Sequence, residues 1–163
     1  MKAFLYKTMQ IIAFVCIWIS VLAFVVYIDS KDKVIASLGK YEKREFFTSG
    51  GFRDYTDYAK YFYTSAKVEE NKYFKKVQEN DFATIDMHLD DFKKWIKAIK
   101  FSDASNELVV NYDFDREIID TEDYFYIVSE EVTWSNGHTS LERYNIYLFD
   151  TQTQVLYYFH NNI

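Results

Sequence analysis

Residues 124–160 read YFYIVSE EVTWSNGHTS LERYNIYLFD TQTQVLYYFH, and the fold class turns on them. Aromatic and β-branched residues alternate with polar ones at a period of two, the pattern of strands that lay one face on a core. Two breaks divide the stretch. Ser135-Asn136-Gly137-His138 offers an Asn-Gly pair tolerant of positive φ, and Asp150-Thr151-Gln152-Thr153-Gln154 is polar throughout. Three consecutive antiparallel strands are expected over residues 124–134, 141–149 and 155–160.

Turn chemistry also predicts the register. A two-residue Asn-Gly loop pairs Ser135 with His138, which sets Phe125 opposite Leu148, Ile127 opposite Ile146 and Glu130 opposite Arg143. With Phe149 opposite Val155 in the second hairpin, one face carries Phe125, Ile127, Tyr144, Ile146, Leu148, Leu156 and Tyr158 and packs on helices. The other face then carries Tyr126, Val128, Tyr147, Phe149, Val155, Tyr157 and Phe159, too apolar to lie bare in water. Rings of Tyr126, Tyr147, Tyr157 and Phe159 on such a face form a candidate ligand-binding surface, because rigid amphipathic rings suit peptide and sugar ligands.

Upstream, the spacing predicts helices. Phe82, Ile85, Leu89, Phe92, Ile96 and Ile99 form one stripe at a 3.6-residue period, with Asn80 as a possible cap. Asp81, Asp86, Asp90 and Asp91 fill the first half, and Lys93, Lys94, Lys97 and Lys100 the last turns, each sign matching its end of the helix dipole. Tyr55, Tyr58, Ala59, Phe62, Tyr63 and Ala66 also follow helical spacing and predict a first helix. Leu108, Val110, Tyr112 and Phe114 alternate with Val109, Asn111, Asp113 and Asp115, which predicts a further strand. Two helices packed on a C-terminal antiparallel meander make an α+β fold, whose element order resembles that of cystatin-like and NTF2-like domains. Element order carries no function with it.

At the other end, residues 11–28, IIAFVCIWISVLAFVVYI, hold no charge. At about 1.5 Å per residue a helix of this length spans roughly 27 Å, close to the hydrocarbon thickness of a bilayer. The expectation is a single-pass signal anchor with Ile11, Trp18, Phe24 and Ile28 in contact with lipid. Residues 1–10 are a short tail, 29–53 a stalk or linker, and 54–163 one globular domain. Lys2 and Lys7 precede the run and five basic residues follow within about 20 positions. A short basic tail tends to stay inside while a long domain is exported, so the domain is expected on the extracytoplasmic side of the cell membrane.

Charge and composition exclude several classes. The 163 residues carry a net charge of −6, but residues 103–163 alone carry −10, which argues against nucleic acid as a partner. Aromatics make up 20% of the chain, so the polar part folds. The only cysteine, Cys16, lies in the apolar run, leaving the domain without disulfide or thiolate chemistry. No nucleotide-binding glycine loop, GxSxG or HExxH stands in the sequence, and no cofactor is implied. The acidic run Asp113, Asp115 and Glu117 is a weak metal candidate, because Ile118 stands where a calcium loop of the EF-hand type needs glycine.

These observations favour a non-enzymatic binding or accessory module beside the lipid bilayer, taking a protein or cell-envelope ligand. Two alternatives remain. One is an envelope hydrolase using Asp113 and Asp115, spaced about 7 Å apart on one side of a strand. The other is a small subunit packing its apolar helix against a larger membrane complex.

Overall fold

The computed structural model describes residues 14, 16–18, 32–51, 54–133 and 139–162. It divides into two units, residues 1–37 and 38–163. In the first, Phe14 and residues 16–18 are helical, with Trp18 54% exposed. A five-residue helix, α1 (Lys33–Ser37), follows, its first turn capped by Asp32, whose Oδ1 accepts from the backbone N–H of Val34 at 2.8 Å. Ile11, Phe24 and Ile28 lie outside the described residues. Among the described residues no helix is long and apolar enough to cross a membrane.

The second unit is an α+β domain: a six-stranded antiparallel sheet with a long helix packed on one face. The strands are β1 (Lys43–Gly50), β2 (Tyr55–Phe62), β3 (Lys75–Lys76), β4 (Tyr124–Thr133), β5 (Thr139–Asp150) and β6 (Val155–Asn162), arranged β1-β2-β6-β5-β4-β3. The helix α2 (Phe82–Ser102) follows a 3₁₀ turn, Glu79–Asp81. Asp81 rather than Asn80 closes that turn, its carboxylate accepting from the N–H of Gln78 at 3.1 Å. Ile85, Leu89, Phe92 and Ile96 are buried as the stripe predicts, each contributing roughly 1.5–3 kcal/mol of apolar burial. They meet Tyr58, Phe125, Tyr144, Ile146, Leu148 and Phe159 from the sheet.

Two predicted elements are overturned. The expected helix over 55–66 is β2, placed between β1 and β6 and buried on both faces, so its apolar positions do not alternate. Tyrosine, phenylalanine and threonine fill most of this stretch and favour strand backbone. Its partner β1 occupies residues assigned to the stalk. The hairpin joining them turns at Gly50, whose φ of +120° suits glycine and whose added Cβ would stand 2.2 Å from the Asp54 carbonyl oxygen. The expected strand over 108–114 is instead a short helix, α3 (Glu107–Asn111), capped by Asn106, whose Oδ1 accepts from Leu108 N–H at 3.0 Å, and then a loop. That cap closes a turn before any strand partner is met.

The meander forms as expected, with two differences in register. Phe125 opposes Leu148, Ile127 opposes Ile146 and Glu130 opposes Arg143, but beyond Glu130 the pairing shifts by one, Glu131 opposing Leu141. A bulge at Glu142 absorbs the difference. In the second hairpin Asp150, not Phe149, opposes Val155, and Phe149 opposes Leu156. Asp150 makes this shorter turn: its Oδ1 accepts from the N–H groups of Gln152 at 2.8 Å and Thr153 at 3.2 Å, and Gln154 takes a φ of +57°.

Candidate functional site

A one-residue slip between β5 and β6 exchanges the two faces of β6. Tyr157 and Phe159, expected on the ligand face, point to the helix side instead. Phe159 is 0% exposed and sits among the rings of Phe114, Phe92 and Tyr58 at centroid distances of 4.9, 5.2 and 5.4 Å. Tyr157 packs on Phe114 at 5.0 Å. Leu156, Tyr158 and His160 take the outer face in their place.

That outer face has a covered half and an open half. The covered half is closed by residues 63–74, with Tyr63 edge-on to Phe149, Phe74 edge-on to Tyr147 and Tyr73 against Tyr126. Backbone bonds pin this segment: Tyr63 N–H donates to the Gln154 carbonyl at 2.9 Å, and Lys67 N–H to that of Leu38 at 3.0 Å. Tyr126 and Tyr147 are thus neighbours as expected, stacked at 5.9 Å, but Tyr147 is only 4% exposed.

The open half, the part that residues 63–74 leave uncovered, is polar and aromatic; Tyr55, Asn145 and Tyr158 are half-buried, and His160 is buried at 8% exposure. Asn145 of β5 is its hub, its Oδ1 accepting from the Tyr158 hydroxyl at 2.9 Å and lying 2.8 Å from His160 Nδ1. An amide oxygen cannot donate, so this geometry assigns the proton of neutral His160 to Nδ1 and leaves Nε2 as the basic nitrogen. The rings of Tyr158 and Tyr55 flank the imidazole at 6.3 and 4.8 Å. Directly across the strand pair from His160 lies Asp57 of β2, 7% exposed, its Oδ1 without a hydrogen-bond partner among the described residues. Burial pushes the Asp57 carboxyl above the usual carboxylate range, while a hydrogen bond with Thr48 and the charges of His160 and Arg44 pull it partly back.

This arrangement can donate and accept hydrogen bonds over an aromatic floor, with a fixed imidazole tautomer. Sequence reasoning missed Tyr55, Asp57, Asn145, Tyr158 and His160. A strand reading of 55–62 would have placed Asp57 beside the meander.

The acidic candidates are not gathered into a site. Asp113 accepts from the Tyr58 hydroxyl at 2.8 Å and pairs with Lys60 at 2.7 Å, and Lys60 also reaches Glu45 at 3.0 Å. Burial raises the Asp113 carboxyl, but the bonds from Lys60 and Tyr58 outweigh it and hold the group below the ordinary value. Asp115 caps a 3₁₀ turn through the N–H of Glu117 at 3.0 Å, and Glu117 is exposed. Residues 108–114 lie outside any strand, so the strand expected to set Asp113 and Asp115 on one side is not there. Among the described residues no group of three or more His, Cys, Asp or Glu is placed to hold a metal ion. Comparison with protein-family models, with curated proteins and with solved structures finds no match to this chain.

Proposed function

We propose that this chain is a single-pass membrane-anchored protein whose α+β domain acts on the extracytoplasmic side as a non-enzymatic binding module. The ligand surface is the open half of the outer sheet face, built by Tyr55, Asn145, Tyr158 and His160. The observation that carries it is the Asn145 hub: a strand-borne amide orders a tyrosine and an imidazole beside half-exposed rings, on a sheet face whose other half the protein covers with its own chain. Rigid side chains held in place before contact lose little entropy when a ligand arrives. The uncharged run at 11–28 supplies the location.

Two measurements test this reading. Full-length protein should resist extraction from membranes by alkaline carbonate and yield to detergent; intact chain in the soluble fraction refutes the anchor. The detergent-solubilised chain should retain a component of envelope extract that the Tyr55→Ser/Asn145→Ala variant, folded by circular dichroism, fails to retain. Equal retention by both refutes the surface. A hydrolase reading is favoured only by the raised carboxyl of Asp57 opposite His160, and a bell-shaped pH profile of hydrolysis that Asp57→Asn abolishes would establish it.

A further inference from the structure

The outward face of α2 is unlike the rest of the domain surface. Phe101 is 96% exposed, and Met87, two heptads earlier on the same stripe, is 49% exposed. Between Phe92 and Ser102 stand Lys93, Lys94, Lys97 and Lys100 and no acidic residue. None of the four lysines has an ion-pair partner among the described residues, and Lys94, Lys97 and Lys100 are exposed. Residues 103–163 carry −10, beginning with Asp103, which follows directly on the C-terminus of α2.

We propose that the C-terminal half of α2 docks on an anionic lipid surface, with Phe101 in the headgroup layer and Lys94, Lys97 and Lys100 on lipid phosphates. An apolar ring fringed by long cationic side chains is what the bilayer interface accepts: the phenyl group leaves water, and lysine stems reach outward to the phosphates. Charge complementarity selects the face, since four lysines and no carboxylate stand between Phe92 and Ser102. The inference rests on the membrane-anchored reading only for proximity. Residues 29–37, of which Lys33–Ser37 form α1, separate the apolar run from the domain and reach at most about 20 Å, four residues extended and five helical.

The test uses the full chain carrying Cys16→Ser and Ala98→Cys, with an environment-sensitive fluorophore on the exposed position 98. In nanodiscs containing about one third anionic lipid the emission should shift to the blue. Zwitterionic discs should give no shift, and added salt should reverse it. Each Lys→Gln change on this face should weaken docking about fivefold on a strongly anionic surface. The Lys93/Lys94/Lys97/Lys100→Gln variant should therefore lose the shift, and Phe101→Ser should reduce it; both sites are on the helix surface and leave the fold intact. An incorporated chain showing no shift, or an equal shift on zwitterionic discs, overturns the inference. So does a shift in detergent that grows with protein concentration, because the occupant is then the acidic half of a second copy. If the chain fails to enter discs, the anchor reading falls by itself. Flotation of the same labelled chain with preformed anionic vesicles then decides the docking: lysine-dependent flotation supports it and its absence overturns it.

Discussion

Replacing Phe159 by alanine, and separately Tyr158, measures which face of β6 is inside. Phe159 is fully buried and touches three aromatic rings, so its loss removes a whole core side chain and leaves a cavity walled by α2. Such truncations cost about 3–5 kcal/mol, and the lost ring pairs, each of about 0.5–1.5 kcal/mol, push this one to the upper end. For a domain of this size about 4 °C of melting temperature is lost per kcal/mol, so Phe159→Ala should melt roughly 15–20 °C lower. Tyr158 is half-buried, and its hydroxyl donates a neutral hydrogen bond to Asn145. Tyr158→Ala should cost about 1–2 kcal/mol and shift the transition by roughly 4–8 °C. Thermal unfolding in detergent, followed by circular dichroism, compares the two. A reversed order would show the β5–β6 pairing displaced by one residue, and the open face proposed here would not exist.

Asp57→Asn should stabilise the protein at pH 7 more than at pH 3. The folded-state pKa of Asp57 is raised, so its contribution is complete below the unfolded value near 3.8 and is lost as pH rises through the folded value; urea unfolding at both pH values reads the difference. Tyr58→Phe keeps the buried ring and removes the bond to Asp113, costing about 1.5 kcal/mol at pH 7. The pKa of Asp113 is lowered on folding, so this cost should fade as acid protonates it, and a pH-independent difference would refute the assignment. Gly50→Ala should cost more than about 2 kcal/mol, since positive φ and a backbone oxygen 2.2 Å from the new Cβ act together; an unchanged urea midpoint would contradict the hairpin geometry.

The long helix and the first meander hairpin could be read from sequence because each has one buried face. Ile85, Leu89, Phe92 and Ile96 recur at the helical period, and the pairs Phe125–Leu148 and Ile127–Ile146 follow from alternation. The predicted pairing holds as far as Glu130–Arg143, and the bulge at Glu142 shifts it by one residue beyond; the expected turn, Ser135–His138, lies outside the described residues. β2 was not legible. Thr56, Asp57, Tyr58 and Ala59 are all buried, so no alternation remains, and Tyr55, Tyr58, Ala59 and Phe62 happen to fall at helical spacing. The slip in β6 came from Asp150, whose side chain closes a four-residue turn that hydrophobic pattern alone does not specify. The open half of the outer face was hidden for the same two reasons, since Asp57 depends on β2 and His160 on the register of β6.

The last strand in chain order lies in the middle of the sheet. β2 can gain its second neighbour only when residues 155–162 arrive, more than 90 positions later, and until then the β1–β2 hairpin is an isolated ribbon beside exposed aromatic side chains. Closure of the sheet therefore waits on residues 155–162, a long-range pairing of the kind that slows folding. The sheet locks only when β6 takes its place between β2 and β5.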